Sequence, residues 1–522
     1  MLFNSFPFLL IFLPLCLAGF FYCGRRRGLT AAVTWLGVAS LAFYAWWDWH
    51  FVALLLTSIL LNSVAGQHIV ARRRTGHVQA ARRTLQITTS INLVALAYFK
   101  YANFFLDTWA STSGAPRLQL DVVLPIGISF FTFTQIAFLV DAWRGEVQSF
   151  TFRRYFLFVT YFPHLIAGPI LHHREMMTQF ANPRITVFHR RNMAVGVSIL
   201  AIGLFKKVIL ADNVALFAAP LFTAAGQGAP ISFFDAWGGT LAYTFQLYFD
   251  FSAYSDMAIG ISTMFGIRIP VNFNSPYKST NIVEFWRRWH MSLSRFLRDY
   301  LYIPLGGSRC APWRRHANLF VTMLLGGLWH GAGWTFVLWG ALHGSYLVIN
   351  HAWRRLFPAS SEKSQMSSLL SGALTFLAVM VAWVFFRAES VDAALGVLKS
   401  MSGLNGLSLP SMVGAHLSAS AREIAIGLGV SFEGSFWVRA GDWQIGVSWI
   451  ALCGAIAFLM PNTYQLFSRF RPALPIYGEI PSRRLRALHW RPALPWAGAT
   501  AIMVFAAVIS LYRPSEFLYF QF

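Results

Sequence analysis

The sequence contains few charged residues, and acidic residues are the scarcest of them. Charged side chains make up 12% of the 522 residues, about half the usual share, and Lys and Arg outnumber Asp and Glu by 42 to 20. Hydrophobic residues make up 56%, and the mean hydropathy is +0.52. A soluble domain of this composition would expose too much apolar surface, and the aromatic content excludes a disordered chain. The composition therefore indicates an integral membrane protein.

Several common chemical signatures are also missing. We find no GxSxG elbow, Walker A loop, HExxH helix or GxGxxG turn. No disulfide framework or metal site is expected, because the histidines at 172 and 173 lack a Cys or carboxylate at ligand spacing and the cysteines lie far apart: Cys16, Cys23, Cys310 and Cys453. The net charge of +22 comes from Arg scattered between apolar runs, which favours cytoplasmic loops over a nucleic-acid groove.

Apolar runs of membrane-spanning length occur throughout the chain. They cover residues 2–23, 29–48, 50–70, 84–105, 121–143, 155–171, 192–211, 233–265, 317–350, 369–386, 443–460 and 493–512. The first run lacks a basic segment before it, so we interpret it as an uncleaved span with its N-terminus outside. Arg25–Arg27 and Arg72–Arg74 then lie inside, and 106–120 lies outside.

The most basic segment, 266–316, carries nine Lys and Arg against two acidic residues, so we place it inside. Within it, 286–300 predicts a helix lying in the membrane interface, because one face is apolar. That face consists of Trp286, Trp289, Leu293, Phe296 and Tyr300. The opposite face carries Arg287, Arg288, Arg295 and Arg298. The alternative is an ordinary basic loop that happens to be helical.

The apolar run 317–350 is too long for one crossing, and basic residues flank both of its ends. We therefore expect the run to enter the membrane and return, with a turn in the glycine-rich stretch 326–333. His330 lies in this turn, near the membrane interior. Irregular backbone at that depth occurs only where it is buried in protein or lines a watery cavity.

Ionisable residues inside apolar runs are the candidate functional groups. An imidazole such as His330 can accept a proton at neutral pH, although it could also be a neutral core histidine. His290 lies at the edge of the apolar face of 286–300. It could point into a cavity, or it could be a hydrated residue in the membrane interface. Asp250 and Asp256 could line a polar tunnel or form ion pairs with the Lys206-Lys207 dipeptide, and we favour the ion pairs.

Several stretches resemble the bacterial membrane-bound O-acyltransferase (MBOAT) family, close to its alginate O-acetylation branch. The resemblance runs from residue 99 to the last residue, and its longest block is 272–344; 402–442 matches nothing we can place. The matching stretches are FKYANFF (99–105), PIGISFFTFTQIAFLVDAWRG (125–145), FPHLIAGPI (162–170), GLFKKVILAD (203–212), QLYFDFSAYSDMAIG (246–260), NFNSPYKSTNIVEFWRRWHMSLSRFLRDYLYIPLGGSR (272–309), LWHGAGWTFVLWGALHG (328–344) and EFLYFQF (516–522).

The resemblance implies an all-α polytopic membrane protein: a ring of about 11 transmembrane helices, with re-entrant and interfacial helices, around a central funnel. Residues 1–522 form a single domain with its core motifs in 99–350. The family's essential histidine falls on His330, and its second polar position falls on His290. We expect acetyl-CoA as the acyl donor, with Arg287, Arg288 and Arg295 binding its phosphates, and no permanently bound cofactor.

The resulting prediction is an O-acetyltransferase of the bacterial inner membrane. It passes acetyl groups from a cytoplasmic thioester to an exopolysaccharide such as alginate, through a periplasmic or membrane-anchored partner of the SGNH type. His330 acts as general base, while His290 orients the donor or stabilises developing charge. The alternatives are acetylation of cellulose, peptidoglycan or teichoic acid, or a non-enzymatic component of glycan export, for which the expected inverted repeats are not seen.

Overall fold

A computed structural model describes residues 1–357, 364–409, 411–432, 443–475, 488–513 and 518. Most of the described residues are helical. Their only paired strands are the two-residue β1 (Leu407–Ser408) and β2 (Val430–Ser431), which are parallel. The prediction of an all-α polytopic chain is confirmed. Of the unplaced region 402–442, the structure describes all but 410 and 433–442; most of the terminal stretch 516–522 lies outside the described residues.

The helices follow the apolar runs closely. In chain order, the α-helices are α1 Leu13–Arg27, α2 Leu29–Ala45, α3 His50–Arg74, α4 Val78–Ser113, α5 Ile128–Arg144, α6 Phe152–Thr160, α7 Phe162–Leu165, α8 His173–Phe180, α9 Arg190–Phe205, α10 Asp212–Gly226, α11 Phe233–Met264, α12 Ile282–Trp286, α13 Met291–Leu297, α14 Pro312–His330, α15 Trp334–Leu356, α16 Gln365–Arg387, α17 Val391–Met401, α18 Ser411–His416, α19 Ala419–Gly427, α20 Trp443–Leu459, α21 Thr463–Leu466 and α22 Leu494–Ser510. Short π-helical segments lie at Pro7–Phe12, Lys206–Ala211 and Arg298–Tyr302, and 3₁₀ turns at Pro183–Thr186, Pro276–Lys278 and Ser468–Phe470.

Four helical stretches in the described part of the chain are long and apolar enough to cross a membrane: Pro7–Arg27, His50–Arg74, Arg190–Gly226 and Gln365–Arg387. Shorter apolar helices cover Leu29–Ala45, Gln444–Leu459 and Leu494–Ser510. The expected count of 11 is therefore not confirmed. The first and third helices end in the basic clusters Arg25–Arg27 and Arg72–Arg74, where cations also interact favourably with the helix dipole.

Helix α11 lies at the centre of the protein. Most of its 32 residues are buried, and it packs against α9, α10, α16, α17 and α20. The crossing with α9 depends on two glycines. A Cβ on Gly196 would meet the Gly260 carbonyl oxygen at 2.6 Å, and a Cβ on Gly260 would meet that of Gly196 at 2.7 Å. Small residues at such a crossing let two membrane helices approach closely.

The carboxylates of α11 form ion pairs, as the sequence predicted. Lys207 Nζ lies 2.8 Å from Asp250 Oδ1 and 2.7 Å from Asp212 Oδ1. Lys206 Nζ lies 3.0 Å from Asp256 Oδ2. Asp256 also accepts hydrogen bonds from Thr463 Oγ1 at 2.6 Å and Tyr464 Oη at 2.8 Å. A buried charge requires this kind of pairing. We call Lys206, Lys207, Asp212, Asp250 and Asp256 the ion-pair cluster.

The run 317–350 forms a helical hairpin, as predicted. Helix α14 ends at His330 and α15 begins at Trp334, so the break is confined to 331–333. The prediction placed the turn over 326–333, but Gly326 and Gly327 remain helical. Gly327 supports packing instead, because a Cβ there would meet the Gly340 backbone of α15 at 3.1 Å. The 19 residues of α14 extend about 28 Å, close to the thickness of a bilayer core.

The prediction of one interfacial helix over 286–300 is wrong. Helix α12 ends at Trp286, α13 begins at Met291, and His290 between them has a left-handed backbone with φ of +41°. Four of the five apolar-face residues, all except Tyr300, are buried: Trp286, Trp289, Leu293 and Phe296. They pack against protein aromatic rings, for example Trp289 against Trp383 at 4.9 Å between ring centroids. The apolar periodicity therefore reflects burial in the protein core.

Candidate active site

His330 is held at the end of a helix by two side chains from α4. The last turn of a helix leaves its carbonyl groups without intrahelical donors. Lys100 Nζ donates hydrogen bonds to the carbonyl oxygens of Trp329 at 2.6 Å and His330 at 3.0 Å. Tyr101 Oη donates to the Leu328 carbonyl oxygen at 2.6 Å. An ammonium group also interacts favourably with the negative end of the helix dipole. The two α4 side chains thus fix the point at which α14 stops.

The His330 ring is buried among aromatic rings and a second histidine. Its centroid lies 5.0 Å from Trp339, 5.2 Å from Phe386 and 6.3 Å from the ring of His290. Only 5% of His330 and none of His290 is exposed. The structure therefore brings together the two histidines that the sequence analysis selected, which lie 40 positions apart in the chain. The wet, interfacial alternative for His290 is excluded by its burial.

Asn272 fixes both the position and the tautomer of His290. Its Oδ1 accepts a hydrogen bond from the Ser292 backbone N–H at 3.2 Å, which identifies that atom as the amide oxygen. His290 Nδ1 lies 3.1 Å from the same oxygen and must carry a proton to bond to it. In a neutral ring, Nε2 is then an acceptor, and it has no partner among the described residues. His290 is thus prepared to accept a hydrogen bond from a guest molecule.

Buried donors without acceptors surround the same site. The indole Nε1–H groups of Trp286 and Trp339 have no acceptor in the described part of the chain, and neither ring nitrogen of His343 has a partner there. These rings are adjacent: the ring centroid of Trp339 lies 5.8 Å from that of Trp286 and 4.7 Å from that of His343. Buried polar atoms in native proteins are almost always paired. A group of unpaired ones next to two histidines indicates a place for a polar guest.

This group of donors and Lys100 were not predicted as site residues from the sequence. All of them lie in the stretches that carry the family resemblance, but Trp286 was placed only on the apolar face of 286–300, and none was given a chemical role. An ionisable side chain within the apolar run 84–105 was the signal that could have identified Lys100. For Trp339 no such signal exists, because a tryptophan in an apolar run is usually a packing residue.

Two of the three arginines expected to bind the acyl donor pair with carboxylates of the protein. Arg288 forms an ion pair with Glu284 at 2.7 Å, and Arg295 donates two hydrogen bonds to Glu175 of α8, while Arg287 is exposed. Partial burial raises the pKa of Glu284, but hydrogen bonds from Thr280 and Arg288 outweigh it and bring that pKa below its usual range. Two of the three guanidinium groups are therefore already paired with carboxylates.

A second buried network attaches the basic segment to the rest of the protein. Tyr300 Oη lies 2.8 Å from Asp141 of α5, and the same carboxylate lies 2.9 Å from His173 Nδ1. No carboxylate was expected at ligand spacing from His173, but the fold places Asp141 beside it. The described residues contain no group of three or more His, Cys, Asp or Glu side chains that could hold a metal ion. All four cysteines are free thiols.

A small cavity reaches Lys100. It has a volume of about 130 Å³ and is lined by Trp47, Lys100, Ile166 and residues 124–130. In the predicted topology, Trp47 and residue 124 lie at the outer ends of the runs 29–48 and 121–143, so we call this cavity the outer cavity. Lys100 has three N–H donors, and two of them bond to the end of α14. The same ammonium group therefore contacts the helix end that carries His330 and lines the outer cavity.

The site lies in the part of the chain that matches the sequence model of a known protein family. The sequence model of the membrane-bound O-acyltransferase family matches residues 76–390, which include Lys100, both site histidines and Trp339. The chain is 42% identical over 449 residues to the peptidoglycan O-acetyltransferase of Helicobacter pylori, covering 81% of this chain and 83% of that protein. It is 43% identical over 427 residues to a probable alginate O-acetylase of Azotobacter vinelandii, covering 80% and 81%. A probable alginate O-acetylase of Pseudomonas syringae pv. tomato is 38% identical, and the alignment covers both chains completely.

Proposed function

Because the chain belongs to the membrane-bound O-acyltransferase family and is therefore a membrane acyltransferase, we propose that it passes acetyl groups from cytoplasmic acetyl-CoA to an acceptor outside. The proposed location is the bacterial inner membrane. The final acceptor is the hydroxyl of an exopolysaccharide such as alginate, and an SGNH-type partner completes the transfer. The relatives named as alginate O-acetylases support this acceptor.

In the proposed reaction, His330 is the general base. The acceptor hydroxyl attacks the carbonyl carbon of the thioester while His330 takes the hydroxyl proton. The new ester C–O bond forms, the C–S bond breaks, and the leaving thiolate takes the proton back from the imidazolium to become the free thiol. The observation that carries the proposal is the juxtaposition of His330 and His290, whose ring centroids are 6.3 Å apart. His330 lies at a helix end that Lys100 holds in place.

Trp339 and His290 have complementary parts in this mechanism. The carbonyl oxygen of the thioester becomes an oxyanion during attack, and donors aimed at it lower the barrier. Trp339 offers an indole N–H beside His330. His290 offers only an acceptor in its neutral form, which suits orientation of a substrate hydroxyl. Stabilisation of negative charge, the other role considered for His290, would need a further proton on Nε2.

The outer cavity suits the approach of the acceptor. A hydroxyl that enters beside Trp47 reaches Lys100, which bonds to the backbone of His330. The donor would arrive from the basic, cytoplasmic side, and only its acetyl group would pass inward. Transfer across the membrane then needs no movement of the large, charged nucleotide.

Peptidoglycan is the second candidate acceptor. The peptidoglycan O-acetyltransferase of Helicobacter pylori and the alginate relative of Azotobacter vinelandii are 42% and 43% identical to the chain, so identity does not separate the two acceptors. Acetyl analysis of both purified glycans from cells with and without the protein would separate them. A non-enzymatic role in glycan export is set aside, because the chain belongs to an acyltransferase family.

The central experiment replaces His330 with Ala and, separately, with Gln. Both variants should reach the membrane yet transfer labelled acetyl groups from acetyl-CoA about 10²- to 10⁴-fold more slowly, the usual loss for a general base. The exposed His77→Ala is the control and should remain active. Protein level is checked by blot and acetyl transfer by scintillation counting. Full transfer by an expressed His330 variant would remove the catalytic assignment.

A further inference from the structure

A wide apolar groove runs between α9 and α22, away from the histidine site. It has a volume of about 1200 Å³, and its lining is mostly apolar, including Phe188, Val197, Trp496 and Phe505. The floor is a separate small core in which Val195 and Ile199 of α9 pack with Phe467 and Trp490. The walls are side chains of two of the protein's apolar helices. A groove of this kind on a membrane protein suits an acyl chain.

One end of the groove is strongly basic. It continues into a cavity of about 760 Å³ that shares Arg190, Trp490 and Arg491 with the groove and adds Arg191 and Arg469. No Asp or Glu occurs among the lining residues of either cavity in the described part of the chain. Four guanidinium groups without a carboxylate make a site for an anion, and Arg is the side chain best suited to phosphate.

Two further features of the basic end indicate an oxygen-bearing anion. Trp490 is 4% exposed, and its indole N–H has no acceptor among the described residues, although the residue lines both cavities. Helices α9 and α22 both begin at this end, and the residue before each helix provides no side-chain cap. Uncapped N-termini present free N–H groups and the positive end of the helix dipole, which favour phosphate.

We propose that this groove is a binding site for an anionic phospholipid of the cytoplasmic leaflet, because Phe188 of the groove packs on Phe21 of α1, just before the predicted inner cluster Arg25–Arg27. The phosphate binds between Arg190, Arg191, Arg469 and Arg491 and accepts a hydrogen bond from Trp490, and one acyl chain lies along α22. Basic pockets between membrane helices on the cytoplasmic side are typical sites for such headgroups. A free phosphate or the nucleotide of acetyl-CoA would use the basic end only and would leave the apolar groove without an occupant.

The test uses delipidated full-length protein in neutral detergent and native mass spectrometry. Dioleoyl phosphatidylglycerol is the probe, and dioleoyl phosphatidylcholine is the zwitterionic comparison. The wild type should retain one phosphatidylglycerol in preference to phosphatidylcholine. The double variant Arg190→Gln/Arg491→Gln should bind it about 30-fold more weakly, on the basis of about 1 kcal/mol for each arginine near the surface. The control Arg82→Gln/Arg83→Gln removes two exposed arginines of α4 and should bind as the wild type does.

A third variant separates the groove from the basic end. Ala501→Phe adds a ring to the groove lining and leaves every arginine in place, so it should also weaken phosphatidylglycerol binding. The proposal would be overturned if the wild type bound the two lipids equally, or if the α4 control lost phosphatidylglycerol binding as much as the double variant does. It would also be overturned if inorganic phosphate or coenzyme A displaced the lipid and Ala501→Phe did not change lipid binding. None of these readouts depends on acetyl transfer, so the outcome is independent of the proposed function.

Discussion

The protein buries two groups of polar side chains, and they differ in how completely their members are paired. In the ion-pair cluster, each lysine bonds to a carboxylate, and Asp256 accepts further bonds from Thr463 and Tyr464. In the histidine site, the Nε1–H of Trp339 and Nε2 of His290 have no partner among the described residues. Both groups lie in a largely apolar interior.

This difference separates a structural role from a chemical one. A buried charge is tolerated when neighbouring groups satisfy it, and removing one partner leaves the other uncompensated. An unsatisfied buried donor or acceptor lowers stability in the free protein, and a guest that pairs with it recovers that free energy. Variants of the ion-pair cluster should therefore affect folding, whereas variants of the histidine site should affect acetyl transfer.

Breaking the ion-pair cluster should have the largest effect on folding. Lys207→Met leaves Asp250 buried without its cation and should cost about 3–5 kcal/mol of stability. The variant should fail to accumulate or should melt at a much lower temperature in detergent. Lys399→Met, at an exposed position on α17, is the matched control. Accumulation and melting like the wild type would show that the cluster is not a structural element.

Removing one donor from the histidine site should reduce acetyl transfer far more than it reduces stability. Trp339→Phe keeps an aromatic ring beside His330 but deletes an N–H that bonds to no described residue, so the melting temperature should fall much less than in Lys207→Met, by the amount expected for a smaller buried ring. Acetyl transfer should fall about 10²- to 10³-fold if this N–H stabilises the oxyanion. Trp353→Phe, at an exposed position on the same helix, should change neither quantity. A drop in stability with normal transfer would make Trp339 a packing residue.

Lys100 tests the connection between helix geometry and chemistry. Lys100→Met keeps most of the length of the side chain but removes both hydrogen bonds to the end of α14. We expect kcat to fall by up to about 10²-fold, because a small displacement of a reacting group has that effect. KM for acetyl-CoA should be unchanged, and Lys100→Arg should recover part of the loss. A change confined to the melting temperature would mean that Lys100 only stabilises the fold.

The smallest expected effect is that of removing the ion pair between Arg295 and Glu175. The same variants test whether Arg295 binds the acyl donor. In the structure its guanidinium group pairs with Glu175, so Arg295→Gln, Glu175→Gln and the double variant should all lose about 1–3 kcal/mol of stability. KM for acetyl-CoA should be the same in all three. An increase in KM with Arg295→Gln alone would restore the prediction that this arginine contacts the donor.

The helices were predictable because the bilayer imposes a simple rule on sequence. The bounds of α3, α16 and α20 lie within a few residues of the ends of apolar runs. The ion pairs of Lys206 and Lys207 were predictable for a similar reason, since two carboxylates in an apolar span need cations and these two lysines lie within the apolar run 192–211.

The details of the site were not predictable, because they depend on contacts between distant residues. Lys100 stabilises a helix end about 230 positions away, and Arg295 pairs with a carboxylate 120 positions away. The prediction of one interfacial helix over 286–300 was wrong for the same reason. The periodicity of 286–300 is compatible with one helix, and only the hydrogen bonds that the segment donates to Asn272 Oδ1 show why the chain turns at His290.

The positive φ of His290 also bears on how this position can change in evolution. Among side chains with a Cβ, Asn, Asp and His are the ones that most often occupy the left-handed region. A lineage that loses the imidazole should therefore pass first to Asn, Asp or Gly, and β-branched residues should be absent unless the loop before α13 is rebuilt. The range of residues found at this single position in natural relatives would then record whether the backbone or the imidazole is under selection.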